Sequence, residues 1–313
     1  MTLTHTIPVL DLEDFQTGRR DRFVEQVGQA LETIGFFALV NHGVDAGLIQ
    51  RAYQAAADFF QLPESVKRRY EDPALNGQRG FVHFGKEHAK DNPYPDLKEF
   101  WHVGRSFGEA EVALYPPNLV PLEVPEFHPL LSELYNQLES CALSLLQACA
   151  LYLGEPLNLL ADPARSGDTI LRVIHYPPIP PEAHPASVRS APHEDINLIT
   201  LLCGATDDGL ELLQRDGSWL AVPAIAGQII VDSGDMLQQI TNGLFKSTTH
   251  RVVNPTDERS RRFSMPFFVH PNPATDLTPL PGCIARSEGV QKFPAITAGE
   301  YLLQRLREIG LID

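Results

Sequence analysis

His193 and Asp195 stand two residues apart in a stretch, Ala191 to Leu202, that reads as running into a strand, so both side chains project to one face. An imidazole and a carboxylate placed this way can chelate a metal ion. The pair alone says little, because a chain with 11 histidines forms such pairs by chance. A third ligand is needed, and His250 is the candidate: it opens another strand-like run, His250 to Val253, several strands later in a sheet whose strands fold back on one another. Two imidazoles and one carboxylate leave three positions open on an octahedral ion. That facial arrangement suits iron(II) holding O₂ and a bidentate co-substrate, whereas a catalytic zinc would leave one. Farther along, Arg262 and Ser264 are again two apart, so a guanidinium and a hydroxyl point the same way and can share one carboxylate. An inward-facing arginine is costly without an anion to meet.

These residues need a frame of short strands. Ile7 to Leu12 alternates and contains Pro8, which predicts an edge strand. Asp21 to Ile34 has helical spacing and is stopped by Gly35; Phe36 to Val40 is a continuous apolar run expected to be a buried strand. A second helix is expected from Ala46 to Phe60, ended by Pro63, and a long core helix from Leu130 to Leu153. Asn76 to Pro125 reads as loops with short strands. From Thr169 to Val269 there follow β-like runs at Ile170–His175, Leu198–Leu202, Leu210–Gln214, Trp219–Pro223, Gln228–Val231, Met236–Ile240, His250–Val253 and Phe263–Val269. Turn residues separate them, and the spacing predicts a mainly β fold, a double-sheet jelly roll or barrel buttressed by helices. The chain divides accordingly into an N-terminal helix and strand region (1–125), a core helix and connector (126–165), the jelly roll (166–275) and a C-terminal extension with a helix (276–313).

Composition excludes several other functions. A formal net charge of −15 repels nucleic acid, whose binding rests on clustered cations. Lys67, Arg68 and Arg69 close a helical pattern and read as a solvated helix end. The four cysteines show no C-x-x-C spacing, so neither a zinc knuckle nor a redox pair is expected. No run approaches a membrane span and Met1 to Leu12 does not look like a signal peptide, which places the chain in the cytoplasm. No heptad or long apolar edge asks for a partner, so a monomer is the default. His42 and His175 are read as structural; Asp232 and Asp235 flank Gly234 and read as turn residues; Arg251 is expected to pack or pair.

With these motifs in order, the chain resembles the isopenicillin N synthase-like family of 2-oxoglutarate- and iron(II)-dependent oxygenases. The resemblance runs over nearly the whole chain: Ile7-Pro-Val-Leu-Asp11, Gly35 to Val44, Phe59 to Glu64, Asp96-Leu-Lys-Glu99, Leu171 to Pro177, His193-Glu-Asp195, Gly234-Asp235, Asn242-Gly243, His250-Arg-Val252 and Arg262-Phe-Ser264. It implies iron at His193, Asp195 and His250 in a distorted jelly roll. It also implies that the distal carboxylate of 2-oxoglutarate lies on Arg262 and Ser264, with Tyr176 helping to hold it. Plant members often carry Asn where this chain has Ile174. The implied reaction consumes O₂ and 2-oxoglutarate, releases succinate and CO₂, and oxidises, most simply hydroxylates, a small molecule. Relatives that use the same Arg-x-Ser pair for another anion, the isopenicillin N synthase and aminocyclopropane carboxylate oxidase types, are the alternative; a non-catalytic binding module is a remote one. Family members line the substrate pocket from the loop before the jelly roll and from strands near the iron. That suggests Arg79, Phe81, Phe84, Trp101, Phe245 and Phe268, with Arg79 and Lys98 able to meet an anionic substrate.

Overall fold

A computed structural model describes residues 6–89, 92–106 and 115–308 of the protein. Its N-terminal part runs β1 (Val9–Asp11), α1 (Glu13–Gln16), α2 (Arg20–Thr33), β2 (Phe36–Val40), α3 (Ala46–Phe60), α4 (Glu64–Lys67), β3 (Gly80–Val82) and β4 (Glu99–Gly104). The helices α5 (Phe127–Tyr152) and α6 (Ala161–Arg165) lead into β5 (Ile170–Tyr176), β6 (Ser190–His193), β7 (Ile199–Cys203), β8 (Leu210–Leu213), β9 (Trp219–Val222) and β10 (Ile229–Ser233). The described chain ends with α7 (Asp235–Ile240), β11 (His250–Val252), β12 (Arg262–Val269), α8 (Pro281–Arg286) and α9 (Ala298–Glu308).

The strands form two sheets. One has eight strands in the order β1-β2-β10-β7-β12-β5-β4-β3, the other four in the order β6-β11-β8-β9. The large sheet is covered on both faces, which explains the apolar run of β2. Phe37 and Leu39 pack with the helices, while Phe36 and Ala38 meet Leu210, Leu212 and Val222 of the small sheet. α5 lies across the helical face as the centre of the core, with Leu131, Leu134, Leu138 and Leu146 fully buried at helical spacing. Gly35 turns α2 into β2 at φ +78°, and a Cβ there would collide with the Lys246 carbonyl oxygen, so no other residue fits the turn.

The jelly roll expected from strand spacing is therefore present, as a double-stranded β-helix with flanking helices. Three local readings change. Met236–Ile240 is a helix, not a strand: Met236, Leu237 and Ile240 share a buried face, and five residues with three apolar positions are too few to distinguish the two periods. Lys67 is not solvated but buried against Glu99, at 2.6 Å. Asp232 is not in a turn; it lies in β10, paired across to Thr200 and buried.

Candidate metal centre and the cavities beside it

β6 and β11 pair antiparallel with His250 directly opposite His193, so the two imidazoles leave the sheet side by side, ring centroids 4.4 Å apart. Asp195 follows β6 in the turn toward β7. Its Oδ1 lies 3.8 Å from His193 Nε2 and 3.7 Å from His250 Nε2, and one ligand atom from each residue falls within 4.8 Å of the others. Each ring is oriented from behind: His193 Nδ1 donates to the Ala191 carbonyl at 2.8 Å and His250 Nδ1 to the Thr248 carbonyl at 3.2 Å. Those bonds fix the tautomers and leave both Nε2 lone pairs facing Asp195. Burial, and then the neighbouring His250, push the His193 pKa down to about 4, so this imidazole is neutral, the ligating form, at neutral pH.

The carboxylate is held as firmly. Thr200 Oγ1 donates to Asp195 Oδ2, which leaves Oδ1 for the ion. The backbone amide of Asp235 donates to the Asp195 carbonyl at 2.7 Å, so the start of α7 anchors the ligand turn. Asp232 sits behind Asp195 with its carboxyl held well above the usual range, first by burial and then by the Asp195 charge. Two imidazole nitrogens and one carboxylate oxygen on three sides of a small gap are a donor set that fits iron(II) in the facial manner and leaves the opposite side free.

Two cavities meet at this centre. The smaller, about 70 Å³, is bounded by His193, Asp195 and His250 together with Tyr176, Arg262 and Ser264. In the β12–β5 ladder Arg262 lies opposite Tyr176 and Ser264 opposite Ile174, so the guanidinium, the phenol and the hydroxyl cluster at one end of the cavity. Arg262 is 1% exposed; its Nε donates to the Asp207 carbonyl at 3.1 Å, while Nη1 is buried without a hydrogen-bond partner. A buried guanidinium with an unused donor calls for an anion. Arg189, which no motif in the sequence singles out, lies beside it, its Cζ 5.8 Å from the same Tyr176 ring that Arg262 approaches at 5.1 Å.

The larger cavity, about 210 Å³, opens on the other side of His193 and Asp195 and is lined by Glu87, Asp96, Lys98, His102, Arg172, Phe268 and His270, with Leu302, Arg305 and Leu306 of α9 across it. Of the six residues expected at a substrate pocket, only Phe268 borders it. Arg79 has no exposed side-chain surface and is paired with Asp168 at 2.8 Å. Phe81 and Trp101 belong to the aromatic core around Phe59, and Phe245 is buried against Tyr152. Phe84 is half-buried in the turn after β3, away from both cavities. Lys98 does border the cavity, but Asp96 at 2.8 Å and Glu87 at 3.0 Å already neutralise it. Aromatics and an arginine near the site in sequence are drawn into the core by partners that sequence spacing does not reveal.

Comparison with known proteins agrees with this geometry. Residues 7–123 match the family model for the non-haem dioxygenase in morphine synthesis N-terminal region, and residues 167–271 match that of the 2OG-Fe(II) oxygenase superfamily. A 2-oxoglutarate-Fe(II) type oxidoreductase of Emericella nidulans is 30% identical over 94% of this chain and 88% of its own. A 2OG-Fe(II) oxygenase family protein from Caulobacter crescentus superposes with a TM-score of 0.86 at 38% identity, covering 97% of this chain and 99% of that one. A full-length Neurospora crassa protein, solved in complex with alpha-KG and thymine, superposes with a TM-score of 0.85 at 27% identity over 98% of both chains. The two imidazoles, the carboxylate, the anion-seeking arginine and these likenesses converge: the chain belongs to the isopenicillin N synthase-like 2-oxoglutarate- and iron(II)-dependent oxygenases.

Proposed function

We propose that this protein hydroxylates a small molecule, using 2-oxoglutarate and O₂, with iron(II) held by His193, Asp195 and His250. The observation that carries the reading is the buried, unpartnered Nη1 of Arg262 at the far end of a cavity that begins at those three residues. In this reading Arg262 and Ser264 take the distal carboxylate of 2-oxoglutarate, with Tyr176 closing that end. His193 and Asp195 border both cavities and His250 the smaller one, so an ion held by the three would be reached from each. Bound there, iron(II) would couple oxidative decarboxylation of 2-oxoglutarate, to succinate and CO₂, with insertion of the second oxygen atom into a substrate C–H bond. The protein's own part is to fix the ligand tautomers, exclude water and present the substrate from the larger cavity.

Anaerobic titration of the iron(II)-loaded protein with 2-oxoglutarate tests this. A weak visible charge-transfer band is expected, lost in His193→Ala and weakened or shifted in Arg262→Ala. Stoichiometric iron with no band would overturn the co-substrate assignment and favour an oxidase that takes another anion at Arg262.

A further inference from the structure

The larger cavity has a distinctive charge balance. Glu87 Oε1 accepts from Lys98 at 3.0 Å and from Arg172 Nη1 at 3.1 Å, and Asp96 accepts from Lys98 at 2.8 Å. Two carboxylates thus cancel two cations, and the quartet carries no surplus charge with which to hold an ionic substrate. What remains is directional. The Arg172 guanidinium lies over the ring of Phe100, at 4.2 Å, and over that of Phe268, at 5.2 Å. Its Nε donates to His102 Nε2 at 2.6 Å, an acceptor because His102 Nδ1 donates to the Gly77 carbonyl. Nε and Nη1 are therefore spent, and Nη2 is a donor without a partner among the described residues. Across Phe268 stands His270. Its Nδ1 donates to the Phe268 carbonyl at 3.2 Å, and burial lowers its pKa, so Nε2 is a neutral acceptor with no partner among the described residues.

Arg172 Nη2 and His270 Nε2, an unused donor and an unused acceptor, stand to either side of Phe268, beside His193 and Asp195; of the other lining residues Glu87 Oε2 and Arg305 Nε are also unpartnered, but both atoms are buried away from the cavity surface. A cavity of about 210 Å³ lies below the usual ~300–1,000 Å³ of small-molecule clefts, so it admits little more than one ring. We propose that this cavity selects a neutral, ring-sized substrate presenting an N–H next to a carbonyl, as in a lactam or cyclic imide. The carbonyl would lie on Arg172 Nη2, the N–H on His270 Nε2 and the ring against Phe268. The proposal rests on the oxygenase reading above only for the identity of the site; the recognition itself is set by the cavity wall. His102 is a positioning residue, since it fixes the guanidinium plane. A carboxylate substrate is disfavoured because Glu87 already occupies the arginine's charge.

The test is calorimetric titration under nitrogen of the protein loaded with iron(II) and 2-oxoglutarate. The probes are glutarimide and 2-piperidone, their N-methyl forms, and cyclohexanecarboxylate. The N–H compounds should bind about tenfold or more tighter than their N-methyl forms and than the carboxylate, since a buried acceptor left unpaired is costly. His270→Phe should erase the N–H preference while leaving the N-methyl compounds little changed, which a merely structural role for His270 would not do. Equal binding of N–H and N-methyl forms, tighter binding of the carboxylate, or no binding of either N–H compound would overturn the proposal. The charge-transfer band is recorded on the same samples before any probe is added, and probe heats are measured whether or not it forms. A missing band therefore counts against the co-substrate assignment, and a missing N–H preference against this one.

Discussion

At the scale of single residues the centre depends on groups behind the ligands as much as on the ligands. Thr200 Oγ1 spends its proton on Asp195 Oδ2 and so decides which carboxylate oxygen meets the metal. Thr200→Val keeps the shape and removes that bond, leaving Asp195 free to rotate against the buried Asp232. Manganese(II) or iron(II) affinity should fall roughly 10–100-fold, the usual effect of removing a residue that orients a ligand, and Thr200→Ser should retain most of it. An unchanged metal affinity in the valine variant would show that the backbone alone orients Asp195. The grouping of His193, Asp195 and His250 was legible in part: the two histidines meet because β6 and β11 pair at those residues, whereas Asp195 joins them from the turn after β6 and not by strand alternation. Thr200 and Asp232 could not be read from sequence, since their roles come from the β10–β7 register, and an isolated Thr in the run Ile199–Cys203 looks like any strand residue. Arg79 was misplaced for the same reason: Asp168, its partner, is 89 residues away in sequence.

At the scale of elements, α7 and α9 bracket the site. The junction Ser233-Gly234-Asp235 passes so close to the ligand turn that a Cβ on Gly234 would collide with the Asn197 carbonyl oxygen and lie 2.8 Å from that of Asp195. Both contacts are backbone, so nothing flexible can yield. Gly234→Ala should destabilise the fold by about 1–3 kcal/mol through overpacking, and should weaken metal binding as well because the displaced turn carries Asp195. Chemical denaturation and metal titration on the same variant would separate the two effects; loss of stability with intact metal affinity would mean that the α7 junction, not the ligand turn, gives way. α9 is latched to the same junction, Tyr301 donating to Asp235 at 3.0 Å and Arg305 pairing with it at 3.6 Å, while Leu302 and Leu306 face the larger cavity. Arg305→Leu removes one arm of the latch, so amide exchange across 298–308 should accelerate about tenfold, with β12 unaffected. Exchange measured by mass spectrometry checks this, and equal acceleration in β12 would mean the helix is part of the core and not a separately opening cover. α3 was legible in its apolar spacing, but α7 was mistaken for a strand because its periodicity has only six residues in which to show itself.

For the whole molecule, the metal is more than a catalyst's fitting. His193 and His250 belong to the small sheet, whereas Asp195 is tied through Thr200 and the α7 junction to the large one. An ion bound to all three therefore pins the two sheets together at the open mouth of the β-helix, and 2-oxoglutarate on Arg262 of β12 would add a second tie across the same gap. The jelly roll itself was readable from strand spacing, but this coupling was not, because it depends on which sheet each strand joins. Ligands that bind only the folded chain stabilise it by about 2.7 kcal/mol at a hundredfold excess over Kd, and a domain of this size gains roughly 2–4 °C in Tm per kcal/mol. Manganese(II) at that excess should thus raise Tm by roughly 5–10 °C over chelator-treated protein, and 2-oxoglutarate at the same excess over its own Kd by about as much again. His250→Ala should lose nearly all of the increment, whereas Arg262→Ala should lose only the part that 2-oxoglutarate adds to metal alone. If Arg262→Ala kept the full increment, the co-substrate would be held by the ion and not by the large sheet, and the cross-sheet tie would reduce to the three metal ligands. Differential scanning calorimetry on the four combinations of metal and 2-oxoglutarate decides between these outcomes.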